Sequence, residues 1–331
     1  MKVRVGLLLF VTVLLSQGRY ADAFQELGTT PRVAALGQAV VAFAEYPSAY
    51  LVNPATMAFL DDNVFQGTYV NQFGMTDFIS LHLIQALGEA WNWGLHNQTS
   101  LVTSIPRRPF LGNIRDLGAR RDSIRALTAR GFNTFSDLET ALTFTLTRNY
   151  QVLWDPGWRF APLQVKLPVG LNVTYLHKRL YTLESNGVGL DLGGLIQLDL
   201  GELMVSEILG DLRLGMALND VLGTRLYWTS GRIEVVPTEL VTGFSYVQPL
   251  GIIPLTLTAY TQFHSTTFHS HRFGFELNYR NLMLVQMGLK DESLQGGVGI
   301  TFPFKGYQAT LEYSFAPHDL GNIHRIGVGI Q

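Results

Sequence analysis

The chain contains no cysteine, which excludes disulfides, thiol nucleophiles and cysteine-ligated metals while leaving the compartment open. Charge is also scarce. Asp, Glu, Lys and Arg make up 15% of the 331 residues, against roughly 25% in typical soluble proteins, so a charged water-facing exterior is largely missing. The formal net charge of −2 provides no global field for a polyanion, and no nucleic-acid partner is expected. No segment beyond the N-terminus approaches the run of about 18 apolar residues that a spanning helix requires. That excludes a bundle of membrane-spanning helices and leaves a membrane barrel open. The length allows one large or two ordinary domains.

What is present is glycine and proline, 33 and 13 residues, and an aromatic fraction of 11%, distributed along the whole length. This suits many short strands joined by turns. At the N-terminus, Lys2 and Arg4 precede an apolar run from Val5 to Leu15, followed by Ala21-Asp22-Ala23. The pattern predicts a secretory signal over residues 1–23, cleaved near Ala23, because the run is shorter than the roughly 20 residues of a membrane anchor.

From Val64 onward hydrophobicity alternates with period two. Leu142, Phe144 and Leu146 oppose Thr143, Thr145 and Thr147; Val169, Leu171, Val173 and Tyr175 oppose Gly170, Asn172 and Thr174. The same phase recurs in Leu212–Asn219, Arg272–Tyr279, Gly297–Phe302, Gln308–Phe315 and Arg325–Ile330. With weaker candidates at Val64–Val70, Phe78–Ile84, Trp91–Leu95 and Leu282–Leu289, about 14 strands are predicted. A soluble sandwich would place Lys and Glu on the polar phase; here that phase is mostly Gly, Thr, Ser, Asn and Gln. Small and polar residues fit a barrel lumen, with the apolar phase toward lipid. Closure also removes sheet edges from lipid. The fold class predicted is therefore all-β, a transmembrane antiparallel β-barrel over residues 63–331 in the bacterial outer membrane. Its surroundings would be outer-membrane lipid and lipopolysaccharide.

Two stretches interrupt the pattern. Pro31–Leu60 is free of charge from Val33 to Ala44, breaks at Glu45-Tyr46-Pro47, and closes with Asn53-Pro54-Ala55. Residues 24–62 read as a unit placed before or inside the sheet, a candidate lumen plug. Asn53-Pro54 is expected to turn the chain toward the first strand, since proline fixes φ and Asn bonds its neighbouring backbone. Residues 103–135 carry seven Arg, among them Arg115, Arg120, Arg121 and Arg125, against Asp116 and Asp122. Ile114, Leu117, Ile124 and Leu127 recur there at helical spacing. An external loop of this kind could meet lipopolysaccharide phosphates or an acidic partner, or stay solvated without one.

Catalytic and cofactor chemistry is not expected. His264, His269 and His271, among Ser265, Thr266, Thr267 and Ser270, have no carboxylate within their stretch and read as a turn of surface histidines. No serine sits in a hydrolase motif. The glycine-rich pieces Gly187–Gly194 and Gly296–Gly299 lack the lysine and helix of a phosphate loop, and read as lumen positions where side chains would collide.

Arg32, Leu36-Gly37, Ala39, Ala42, Ser48-Ala49 and Asn53-Pro54-Ala55 together resemble the N-terminal signature of the PorV/PorQ family, related to FadL-type transporters. Thr56 stands where that family usually has glycine. The resemblance continues through Gly189–Gly193, Leu212–Gly215, Gly274-Phe275-Glu276 and Leu311–Phe315. It ends with Asp319-Leu320-Gly321-Asn322-Ile323-His324-Arg325-Ile326. It implies a 14-stranded barrel with an N-terminal hatch in which Leu36, Gly37, Asn53, Pro54 and Ala55 take part. It also implies a role in type IX-like protein secretion or surface attachment, with secretion-system components and secreted cargo as partners. The alternatives are a FadL-like channel for hydrophobic small molecules and a secreted structural β-rich module.

Overall fold

The structure is a computed structural model that describes residues 23–43, 46–88, 90–158, 161–251, 253–265 and 270–331. The expected signal segment, apart from Ala23, lies outside the described residues, as do Thr266, Thr267 and His269.

The alternating segments form strands β1 (Val64–Gln72), β2 (Thr76–Leu87), β3 (Trp91–Pro106), β4 (Thr134–Trp154), β5 (Leu163–Leu180) and β6 (Leu183–Asp199). After these come β7 (Asp211–Asn219), β8 (Thr224–Trp228), β9 (Ile233–Val236), β10 (Glu239–Pro249) and β11 (Leu255–His264). The last are β12 (His271–Tyr279), β13 (Met283–Lys290), β14 (Ser293–Phe304), β15 (Tyr307–Ala316) and β16 (Ile323–Ile330). Fourteen of them make one closed antiparallel ring. The first strand pairs with the last, Phe65 opposite Ile330, and the ring is complete through β5–β6 and β6–β7. The remaining two, β8 and β9, form a hairpin laid against the start of β6 through Ser185–Val188.

The two faces of the wall are inverted relative to a soluble sheet. On β1, Phe65 and Tyr69 are 51% and 45% exposed while Gln66 and Thr68 are each at 3%. On β12, Phe273, Phe275 and Leu277 are exposed while Arg272 and Glu276 are buried. Apolar side chains thus face outward all round and polar ones face the lumen, an arrangement stable in lipid rather than water. Strands β12 and β13, at 9 and 8 residues, are close to the roughly 9–11 needed to cross a tilted bilayer. Strand β4, at 21 residues, runs well beyond it.

Sequence alternation underestimated β3, whose His96–Ser100 half is polar on both phases. It continues to Pro106, through an irregularity between Val102 and Ile105 where Ser104 has φ 60°. The Arg-rich connection is therefore residues 107–133 rather than 103–135. Helix α3 (Leu117–Arg130) occupies its middle, with the Asp116 carboxylate accepting the Ala119 N–H at 2.7 Å. Ile114 precedes the helix, and α3 buries none of its residues.

Residues 23–43 and 46–60 run inside the ring. Two short helices, α1 (Ala23–Leu27) and α2 (Pro31–Ala35), and two 3-10 turns, Ala49–Leu51 and Pro54–Phe59, carry the chain to β1. The expected turn at Asn53-Pro54 does not deliver the strand directly, because Pro54 opens the second 3-10 turn.

Candidate functional site

This N-terminal segment runs along the lumen. Phe24 packs with Val70, Phe78, Leu176, Leu226 and Val236 near one end of the barrel. Val33, Leu36, Val40, Phe43 and Tyr46 gather around Tyr260 at mid-height. Tyr50, Met57 and Leu60 meet Val64 and Ile84 nearer the other end. Leu36, Asn53, Ala55 and Thr56 have no exposed surface at all.

Close approach to the wall is made possible by a belt of inward glycines. Gly170 is paired with Gly193, Gly215 with Gly243, and Gly274 with Gly288. A side chain at Gly288 would run into the backbone of Leu36 and Gly37, and one at Gly193 into Asn53 and Pro54. The glycine-rich pieces read in the sequence as collision points are mostly so, with two corrections. Gly194 has open space beside it, and the nearest atom to a Cβ at Gly296 lies 3.7 Å away. Gly37 itself has φ 62° and lies against the Leu289 carbonyl, a position that suits only glycine.

Polar groups fix the segment in register. Arg32 makes a two-pronged pair with Glu276, Nε to Oε2 and Nη2 to Oε1 at 2.6 Å each, and its guanidinium lies 4.8 Å from the ring centroids of both Phe43 and Tyr46. The Tyr46 hydroxyl donates to Glu312 at 2.5 Å. Gln262 Oε1 accepts both the Val40 and Val41 N–H at 2.8 Å. Asn53 joins three partners: Oδ1 accepts the Ala55 N–H at 3.1 Å, while Nδ2 donates to the Val41 carbonyl at 2.6 Å and to the Gly194 carbonyl on β6 at 3.1 Å. One amide therefore holds the two halves of the segment to each other and to the wall. Thr56 fits the same turn, its hydroxyl donating to the Asn53 carbonyl at 2.9 Å.

Nearer the chain start, Glu26 accepts from Arg272 at 2.5 Å and Lys290 at 2.8 Å. Burial pushes its carboxyl up, but Lys290 and Arg272 outweigh that and hold it at about 2.

The segment leaves a cavity on either side. One, about 710 Å³, borders the 291–292 turn and is lined by Glu26, Val33, Leu51, Leu176, Val236 and Arg272 among others. The other, about 630 Å³, reaches the chain end and includes Arg32, Tyr46, Tyr260, Glu276, Glu312 and Gln331. No lining residue is common to both.

Leu36 and Gly37 lie against β12 and β13, at Gly274 and Gly288, whereas Asn53, Pro54 and Ala55 lie against β5 and β6, at Gly170 and Gly193. Arg115, Arg120, Arg121 and Arg125 stand apart, on the connection between β3 and β4, where Arg125 reaches Asp122 at 3.7 Å. Sequence reading missed the wall partners Glu276, Glu312 and Gln262. Their signal in sequence was a carboxylate or amide on the polar, lumen-facing phase of an alternating strand. His264 does not belong to a surface turn: its ring is largely buried and lies 3.1 Å from Glu239, a carboxylate at the start of the neighbouring strand β10. Among the described residues, no three His, Asp or Glu converge as a metal site.

No protein-family model and no curated protein sequence matches the chain. Among solved structures it is similar to a FadL homologue from Pseudomonas aeruginosa, at 10% identity and TM-score 0.42, covering 91% of this chain and 96% of that one. It is similar to the toluene transporter TbuX from Ralstonia pickettii, at 13% identity and TM-score 0.43 over 92% and 97% of the two chains. It is also similar to a mutant of the TodX monoaromatic hydrocarbon channel, at 13% identity and TM-score 0.45 over the same fractions. At these scores the likeness bears on neither ligand nor mechanism, and the closed ring stands on its own strand pairings.

Proposed function

We propose that the chain is an outer-membrane β-barrel that passes small hydrophobic molecules, with residues 24–62 as a hatch in its lumen. The observation that carries this reading is the cavity of about 710 Å³ between hatch and wall. It falls within the roughly 300–1,000 Å³ typical of small-molecule sites and is far too small for a folded protein. Val33, Leu51, Leu176 and Val236 give it apolar surface, and Glu26 and Arg272 supply fixed polar groups. The outward apolar band supports a membrane setting. The long connections 107–133 and 220–238 share one end of the ring, which supports placing that end outside the cell, since bacterial barrels carry long loops externally. Residues 1–23 then serve as the export signal.

The test is uptake. Cells expressing the protein should accumulate long-chain or aromatic apolar substrates faster than cells lacking it, and equal rates would remove the reading. A second reading, protein secretion or surface attachment of the PorV/PorQ type, draws on exposed helix α3 and its Arg120, Arg121 and Arg125 as a docking surface. Co-purification of a translocon partner from detergent-solubilised membrane, lost on deleting residues 107–133, is its test. Unchanged surface cargo in a strain without the protein would remove it.

A further inference from the structure

The closing motif Asp319–Ile326 lines neither cavity, yet it places a charge inside the wall. On β16, His324 and Ile326 face outward while Arg325 faces the lumen at 4% exposure. Its Nε and Nη1 have no partner, and Nη2 has only a 3.4 Å bond to the Leu27 carbonyl. The acid nearest in register, Glu312, stands opposite Gly327; its Oε2 accepts from Tyr46 and Gln66, while its Oε1 is buried and makes no bond to Arg325. A guanidinium does not shed its proton, and a buried cation without a counter-charge is strongly destabilising.

Three hydroxyls share the defect. Ser314 stands directly across from Arg325 on β15. Thr68 is two residues from Val70, the partner of Arg325 on β1, and Ser80 stands across from Thr68 on β2. All three are at 1–3% exposure, all face the lumen, and none of their hydroxyls has a partner. Residues directly opposite in an antiparallel pair have Cβ atoms about 5 Å apart and diagonal ones about 7–8 Å, so Ser314 and Thr68 each stand beside Arg325, on the strands either side of it, with Ser80 one strand further round. Above this patch lie the Leu27 carbonyl and Pro31, whose ring is 3.0 Å from where a Cβ on Gly327 would be.

We propose that this patch binds a compact monovalent anion of the halide class, held by Arg325 and the hydroxyl of Ser314. The size follows from enclosure, since neither cavity reaches Arg325. The single charge matches the one uncompensated guanidinium. Because residues 27–31 cover the patch, the ion is enclosed by the hatch and its exchange requires those residues to shift.

Thermal unfolding of the full-length barrel in detergent, in potassium chloride against potassium gluconate at equal ionic strength, tests this. The midpoint should rise saturably with chloride in the parent and not respond in Arg325→Gln. Ser314→Asp keeps the charge and supplies a carboxylate across from it, so it should fold and lose the chloride response, which covers the case in which Arg325→Gln fails to assemble. Crystals soaked in bromide should show an anomalous peak beside Arg325. An equal chloride response in parent and Ser314→Asp overturns the proposal. So does a bromide map empty at that place with Arg325 bonded to water or Glu312. None of these readouts depends on transport.

Discussion

Replacing Arg32 with alanine should unseat the hatch without opening the ring. The Arg32 side chain is 14% exposed and that of Glu276 4%, so the substitution leaves a buried carboxylate facing only Gln286, whose amide is 3.3 Å away. Removing one partner of a buried pair costs about 3–5 kcal/mol. Loss of the contacts over Phe43 and Tyr46 adds about 0.5–1 kcal/mol each. Taking only 3 kcal/mol, at tenfold per 1.4 kcal/mol, the ratio of seated to unseated hatch falls by about a hundredfold or more. Single-channel recording in planar bilayers reads this directly, as a rise in the frequency of open bursts. Heat-modifiable gel migration should stay as in the parent, because Arg32 takes no part in strand pairing. A control separates charge from shape: Arg32→Met with Glu276→Leu removes both charges, and apolar replacement of a buried pair is often neutral or stabilising, so closure should return. Closed times in Arg32→Ala equal to those of the parent would refute the reasoning. Open bursts as frequent in the double variant as in the single one would show that packing, not charge, holds the seat.

Two further outcomes are expected. Gly288→Ala places a methyl against the backbone of Leu36 and Gly37 and should destabilise the seated state by about 1–3 kcal/mol, seen as faster protease cleavage within residues 24–62; Gly296→Ala, with its nearest neighbour at 3.7 Å, should match the parent. Glu26 is held at about 2 against an ordinary value of 4.5, so its contribution is complete above about pH 4.5 and is lost as pH falls toward 2. Its side chain is 43% exposed, which screens the effect; pepsin cleavage near residues 23–30 should still accelerate across that window in the parent more than in Glu26→Gln, and identical profiles would exclude the carboxylate as an anchor.

The wall was legible in sequence because its two faces meet different solvents. Phe273, Phe275 and Leu277 against Arg272 and Glu276 record lipid on one side and lumen on the other, and period two needs no long-range information. The Asn53 bond to the Ala55 N–H was legible for the same reason, being local. What Glu276 binds was not. Its partner is 244 positions away, and a polar phase shows that a side chain faces inward without showing what it meets. The β8–β9 hairpin was missed because Ile233–Val236 is too short to establish a period, and the end of β3 because His96–Ser100 offers no apolar phase. Asn53 shows the boundary within one residue: its cap was readable, its bonds to Val41 and Gly194 were not.

The chemistry of the seat argues that the hatch moves more easily than the wall unfolds. A segment buried only against apolar surface would, on leaving, expose that surface to the aqueous lumen at about 25 cal/mol per Å². Here much of what would be uncovered is glycine backbone already paired along its strands, together with Gln262, Glu276, Glu312 and Asn172, groups that water can satisfy in place of the hatch. Arg32, Asn53 and Tyr46 would likewise be rewetted on the departing side. The cost of movement is thus concentrated in a few directional contacts and the aromatic cluster around Tyr260, while the ring keeps its pairings. A lock built this way can be loosened at one point, such as Arg32 or Glu26, without loss of the barrel.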